Sequence, residues 1–128
     1  MLKKLIIFLL FLLVLVYIAG GYYFSSMLLE PQRTGYEAVQ GRTIARTGFD
    51  YKDTYSRLGD RQDIAVEGSD GATLKGWYYK QDNAQCAIVF AHGWGSNRTG
   101  SLKYAPLFED CGCDMVFYDH RAHNESTG

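Results

Sequence analysis

The sequence has few of the residues that keep a chain unfolded. Proline occurs twice in 128 residues, while 15% of the residues are aromatic. A chain of that make-up is not disordered along its length. Excess charge is missing too. Thirteen Lys+Arg are matched by 14 Asp+Glu, so no basic surplus exists to neutralise a phosphate backbone, and no nucleic acid is expected as a partner. Cysteine is scarce, at three residues, and an odd number leaves at least one thiol unpaired within a monomer. No Cys/His spacing matches a zinc site, although His92, His120 and His123 invite the question, so no metal is expected.

Against this sparse background stands one long apolar run. Residues 5–24, LIIFLLFLLVLVYIAGGYYF, carry no charge. Such a run at helical rise spans roughly 30 Å, the hydrocarbon thickness of a bilayer. Tyr17, Tyr22 and Tyr23 cluster toward one end, where amphipathic rings favour the interface. A transmembrane anchor embedded in the lipid bilayer is the favoured expectation. A cleavable signal peptide is the rival, with Lys3 and Lys4 as its basic region and Ala19-Gly20-Gly21 as a weak cleavage site. Lys3, Lys4 and the terminal amine favour an inside N-terminus and a domain on the extracytoplasmic side. The domain plan is therefore a basic flank (1–4), an anchor (5–24), a juxtamembrane connector (25–61) and a folded part (62–128). Gly35, Gly41 and Gly48 are expected to interrupt helices in the connector, leaving short pieces around Glu37 and Asp50–Tyr55, with a bare flexible linker as the alternative.

The folded part reads as α/β. Asp63–Glu67 and Thr73–Lys80 flank the turn Gly68-Ser69-Asp70-Gly71 and make a hairpin. Cys86–Phe90 and Met115–Tyr118 lack polar alternation and read as parallel strands buried on both faces. Between them, Ser101–Asp110 has a helical apolar face. Pro106 fits there if the helix begins near Lys103 with the proline in its first turn. Two buried strands and one helix leave sheet faces uncovered, so the sequence is expected to be an N-terminal fragment.

The loop after the third strand is AHGWGSNRTG, Ala91–Gly100. A nucleotide P-loop requires lysine after its last glycine, but Ser101 follows Gly100. A dinucleotide fingerprint requires a third glycine where Arg98 stands. No cofactor is expected. His92-Gly93-Trp94-Gly95 directly after a strand instead resembles the oxyanion-hole loop of α/β-hydrolases. Asp119-His120-Arg121-Ala122-His123-Asn124-Glu125-Ser126 resembles that family's Asp-x-Arg-Gly-x-Gly-x-Ser segment after the fourth strand. The hairpin resembles its first two strands. Over residues 62–128, and with the apolar N-terminus, the chain resembles membrane-anchored bacterial α/β-hydrolases grouped with serine-aminopeptidase-like enzymes.

The resemblance implies a serine hydrolase acting on an ester, thioester or amide bond of a small-molecule or peptide substrate. Trp94 would supply one backbone N–H of the oxyanion hole, with His92, Gly93 and Gly95 forming the loop. Asp119 and Arg121 would anchor the loop after the fourth strand. The family's nucleophile turn, Gly-x-Ser-x-Gly, occurs nowhere in these residues, so no catalytic residue is assigned and the fragment alone is expected to be inactive. Ser96, Ser101 and Ser126 are read as loop or cap residues. Ala122 and Asn124 replace glycines, and since alanine tolerates a left-handed backbone poorly, the loop is expected to turn differently. If the third and fourth strands pair in register, as in the family, Cys86 and Cys113 lie close enough for a disulfide. The alternative function is a truncated, non-catalytic membrane-tethered binding module.

Overall fold

The computed structural model describes residues 2–128, in two units, Met1–Pro31 and Gln32–Gly128. The first holds one helix, α1 (Leu2–Leu29), with no buried residue. Its 28 residues are long and apolar enough to cross a membrane, and a signal sequence has the same character.

The second unit begins well before residue 62. Helix α2 (Tyr36–Thr47) runs through Gly41 without a break and ends at Gly48, whose N–H bonds Ile44 O at φ +66°. An interior glycine costs about 1 kcal/mol relative to alanine. Burial of Val39 and Thr43 along one side of α2 outweighs that cost. Helix α3 (Tyr51–Leu58) is capped by Asp50, whose carboxylate accepts the Asp53 N–H at 3.1 Å. Tyr51, Thr54 and Leu58 recur at helical spacing and are buried. Residues 36–58, expected as a connector, thus supply two helices of the folded unit, because each has an apolar stripe to bury.

The sheet has four strands: β1 (Arg61–Glu67), β2 (Thr73–Tyr79), β3 (Ala87–Phe90) and β4 (Asp114–Tyr118), in the order β1-β2-β4-β3. β1 and β2 form the antiparallel hairpin, β2 pairs antiparallel with β4, and β3 pairs parallel with β4. Gly76 is required in β2, since a Cβ there would lie 2.9 Å from Phe117 O of the neighbouring strand. Trp77, Tyr79, Phe90, Met115 and Phe117 meet Tyr51, Leu58, Leu102 and Ala105 in one core. Phe90 stacks on Phe117 with centroids 4.4 Å apart.

β3 and β4 read as strands with two apolar faces, and the described residues cover one of these faces and leave the other open. Ile88, Phe90, Met115 and Phe117 point into the core, but Val89 is 62% exposed and Val116 is half-buried. The apolar run marks a two-sided strand, yet the core packs on one side only. The helix between them also differs. It starts at Arg98, capped by Asn97, as a single α-turn, α4 (Arg98–Ser101). It then tightens into 3₁₀ turns at Leu102–Leu107 and Glu109–Cys111. Pro106 lacks an N–H and its ring would clash with the carbonyl four residues back, so the narrower winding takes over. Cys86 and Cys113 are joined by a disulfide at the N-terminal ends of β3 and β4, with Cα atoms 4.7 Å apart, and Cys111 is free and exposed.

Candidate active-site loop

The chain leaves β3 at Phe90 and crosses to α4 through a loop braced from below. His92 is buried. Its Nε2 accepts the His120 N–H at 3.0 Å, which leaves the proton on Nδ1, and Nδ1–H donates to Gly93 O at 2.9 Å. His120 Nε2 lies 2.9 Å from His92 O, so the two loops are tied twice. Burial pushes the His92 pKa below its ordinary value and keeps the ring neutral. With both nitrogens engaged, His92 is a brace and has no free nitrogen to act as a base or a metal ligand. The His92, His120 and His123 rings do come together, with centroids 4.3–6.1 Å apart.

Gly95 takes φ +62°, a conformation that requires glycine here, and its carbonyl accepts from Arg42 Nη2 of α2 at 2.7 Å. A Cβ on Gly93 would meet nothing within 4 Å, so the space before that residue is open. Between these two glycines, Trp94 is 55% exposed and packs edge-on to His123. Among the described residues no group accepts the Trp94 N–H. Ser96 is half-buried and its hydroxyl reaches only Asn97 O, at 3.5 Å.

The loop after β4 is organised by Asp119, which is fully buried. Oδ1 accepts the Arg98 N–H at 2.7 Å, Oδ2 accepts Asn124 Nδ2 at 2.8 Å, and the backbone carbonyl accepts the Ser126 hydroxyl at 2.7 Å. Ser126 Oγ in turn accepts the Lys75 N–H at 2.9 Å, fastening the loop to β2. Arg121 lies on the surface and pairs with Asp70 of the hairpin turn at 2.5 Å. The loop turns in the left-handed manner of the glycine pattern: Ala122 takes φ +58° and Asn124 φ +44°. The expected change of turn does not occur, because the bonds of Asp119, Ser126 and His123 around it fix the backbone and Ala122 carries the strain.

Two residues central to this construction escaped the sequence reading. Asn97 is fully buried, caps Thr99 N–H at 3.0 Å and donates to Thr34 O at 2.8 Å. An Asn directly before a helical turn is a strong cap signal and identifies it in retrospect. Arg98 is 3% exposed, sits 3.5 Å from Asp119 Oδ2, bonds Glu125 and Tyr36, and stacks over Trp77 at 4.8 Å. Burial opposes ionisation of Glu125, but the bonds from Tyr36 and Arg98 and the guanidinium charge hold its pKa below the usual value. Burial, and then the bond to Glu125, push Tyr36 up to about 12.

Hairpin, strand, glycine loop, helical turn and strand, in the sheet order given, resemble a portion of an α/β-hydrolase. No protein-family model matches the chain. The uncharacterized protein YqkD of Bacillus subtilis is 29% identical over 108 residues, covering 84% of this chain and 35% of that one. The esterase Pf2001 of Pyrococcus furiosus superposes with a TM-score of 0.54 at 20% identity, over 77% of this chain and 32% of that one. The α/β hydrolase GrgF from Penicillium gives 0.49 at 27% identity, over 54% of this chain. The chain thus spans about a third of the length of YqkD and of the Pyrococcus esterase.

Proposed function

We propose that this chain contributes the anchor, the opening strands and half of the oxyanion hole to a membrane-anchored serine hydrolase of ester, thioester or amide bonds. The observation that carries the reading is the unpartnered Trp94 N–H, in a loop braced on either side of it at His92, Gly93 O and Gly95 O. A donor of this kind lowers a barrier only if it is fixed before charge develops on the attacked oxygen. The bonds of His92 to His120 and Gly93, and of Arg42 to Gly95, supply that rigidity. The nucleophilic serine, the acid and the base would come from sequence other than these residues. α1 would hold the protein in the bilayer. The Cys86–Cys113 disulfide favours an oxidising compartment, hence the extracytoplasmic side.

The test is to express the complete reading frame, label it with a fluorophosphonate, and assay p-nitrophenyl esters. A labelled serine is expected. Trp94→Pro, which removes the N–H, should lower kcat by about 10²–10³-fold with little change in KM. An unlabelled but folded product would leave a membrane-tethered binding module as the better reading. Full activity in the proline variant would remove Trp94 from the mechanism.

A further inference from the structure

A second feature of the same loop concerns binding rather than catalysis. A groove of about 320 Å³ lies between α2 and the loop, bordered by Arg42, Arg46 and Lys103 and by no carboxylate. The ion pairs among the described residues draw their cations from Arg57, Arg61, Arg98 and Arg121. Among the described residues none of the three cations at the groove has an acidic partner. The larger cavity on the β1–β2 side, about 740 Å³, is different in kind: Arg61 there is matched by Asp63, and Arg98 by Asp119 and Glu125.

Three like charges gathered at one concavity repel one another unless an anion neutralises them. Arg42 is already oriented by its bond to Gly95 O, and Arg46 follows one helical turn later on the same face of α2. Two planar guanidinium forks and one point-like ammonium match a tetrahedral group with several charged oxygens better than a single carboxylate. We propose that this groove binds the phosphate group of a ligand, held by Arg42, Arg46 and Lys103 beside Gly93-Trp94-Gly95. The phosphate belongs either to an anionic phospholipid headgroup or to a soluble phosphate ester; the chemistry that the groove recognises is the same.

The proposal stands on the groove and not on the hydrolase reading, and its test reads binding alone. The full chain, in nanodiscs of phosphatidylcholine, is titrated with inorganic phosphate at constant ionic strength. The amide resonances of Gly93, Trp94 and Gly95 are followed. Saturable shifts are expected, weakened about tenfold or more in the Arg46→Gln/Lys103→Gln double variant. Both side chains are outside the core, and an unchanged remainder of the spectrum verifies the fold. Replacing the lipid by phosphatidylglycerol separates the sources. Shifts already present before phosphate is added identify the headgroup; an unaltered titration identifies a soluble ligand. Absence of saturable shifts in both lipids, or equal binding by the double variant, overturns the proposal.

Discussion

Individual residues of the two loops divide into those that brace and those that are left free. His92 and Asp119 are both buried and both bonded at every polar atom the loop needs. The depressed pKa of His92 gives a pH dependence of definite sign. The unfolded chain takes up this proton near pH 6.5 and the folded chain only at lower pH. The contribution of His92 to stability is therefore complete above pH 6.5 and is lost as pH falls through the folded value. Protonation would also remove the acceptor for the His120 N–H. The protection factor of the His120 amide, its exchange rate relative to the base-catalysed intrinsic rate at the same pH, should fall on acidification from pH 7 to 5, and an undiminished factor would contradict the assignment. Ala122 makes the opposite kind of statement. At φ +58° an alanine is strained by about 1–2 kcal/mol, part of which glycine returns as unfolded-state entropy. Ala122→Gly should thus stabilise the full chain by about 0.5–1 kcal/mol in thermal unfolding in detergent. The departure of residue 122 from glycine was visible in the sequence. The backbone that tolerates it was not, because it depends on Asp119 and Ser126 bonds spanning several residues and reaching β2.

At the scale of elements, period-2 patterning and turn chemistry located the hairpin to within two residues at each end, and the apolar runs located β3 and β4 equally well. Patterns of this sort are local, and local physics sets them. The helices were harder. Gly41 and Pro106 are breakers by propensity, yet α2 passes one, and a 3₁₀ winding accommodates the other. Tertiary burial decided both. Arg98 was harder still, since its partners Tyr36, Trp77 and Glu125 are distant in sequence and come together only through the sheet and α2. β2 offers a direct check on element packing. A methyl group at residue 76 has Phe117 O at 2.9 Å and Ile64 Cγ1 at 3.2 Å. Gly76→Ala should therefore destabilise the chain by about 1–3 kcal/mol as β2 and β4 are forced apart. A variant as stable as the parent would mean that the sheet yields more readily than its register implies.

For the whole folded unit, Gln32–Gly128, the helices bind one side of a mixed sheet and one covalent link closes a loop with a sequence separation of 27 residues. Loop-closure entropy for that length corresponds to roughly 3.5 kcal/mol taken from the unfolded ensemble. Paired Cys86→Ser and Cys113→Ser substitutions should lower stability by about that amount, and denaturant unfolding with and without reductant should show the same difference for the parent only. The closeness of the two cysteines was inferred from a family-like register, and the register observed, Ala87 opposite Asp114, sets them side by side. The position of this link has a further consequence. Among the described residues β3 is short and pairs with β4 alone, and short strands held by one neighbour are the ones that copies of a protein trade with each other. Because Cys86 is fastened to the strand that β3 already pairs with, exchange of β3 between two molecules cannot proceed while the bond is intact. Oxidation thus commits each copy to its own β3.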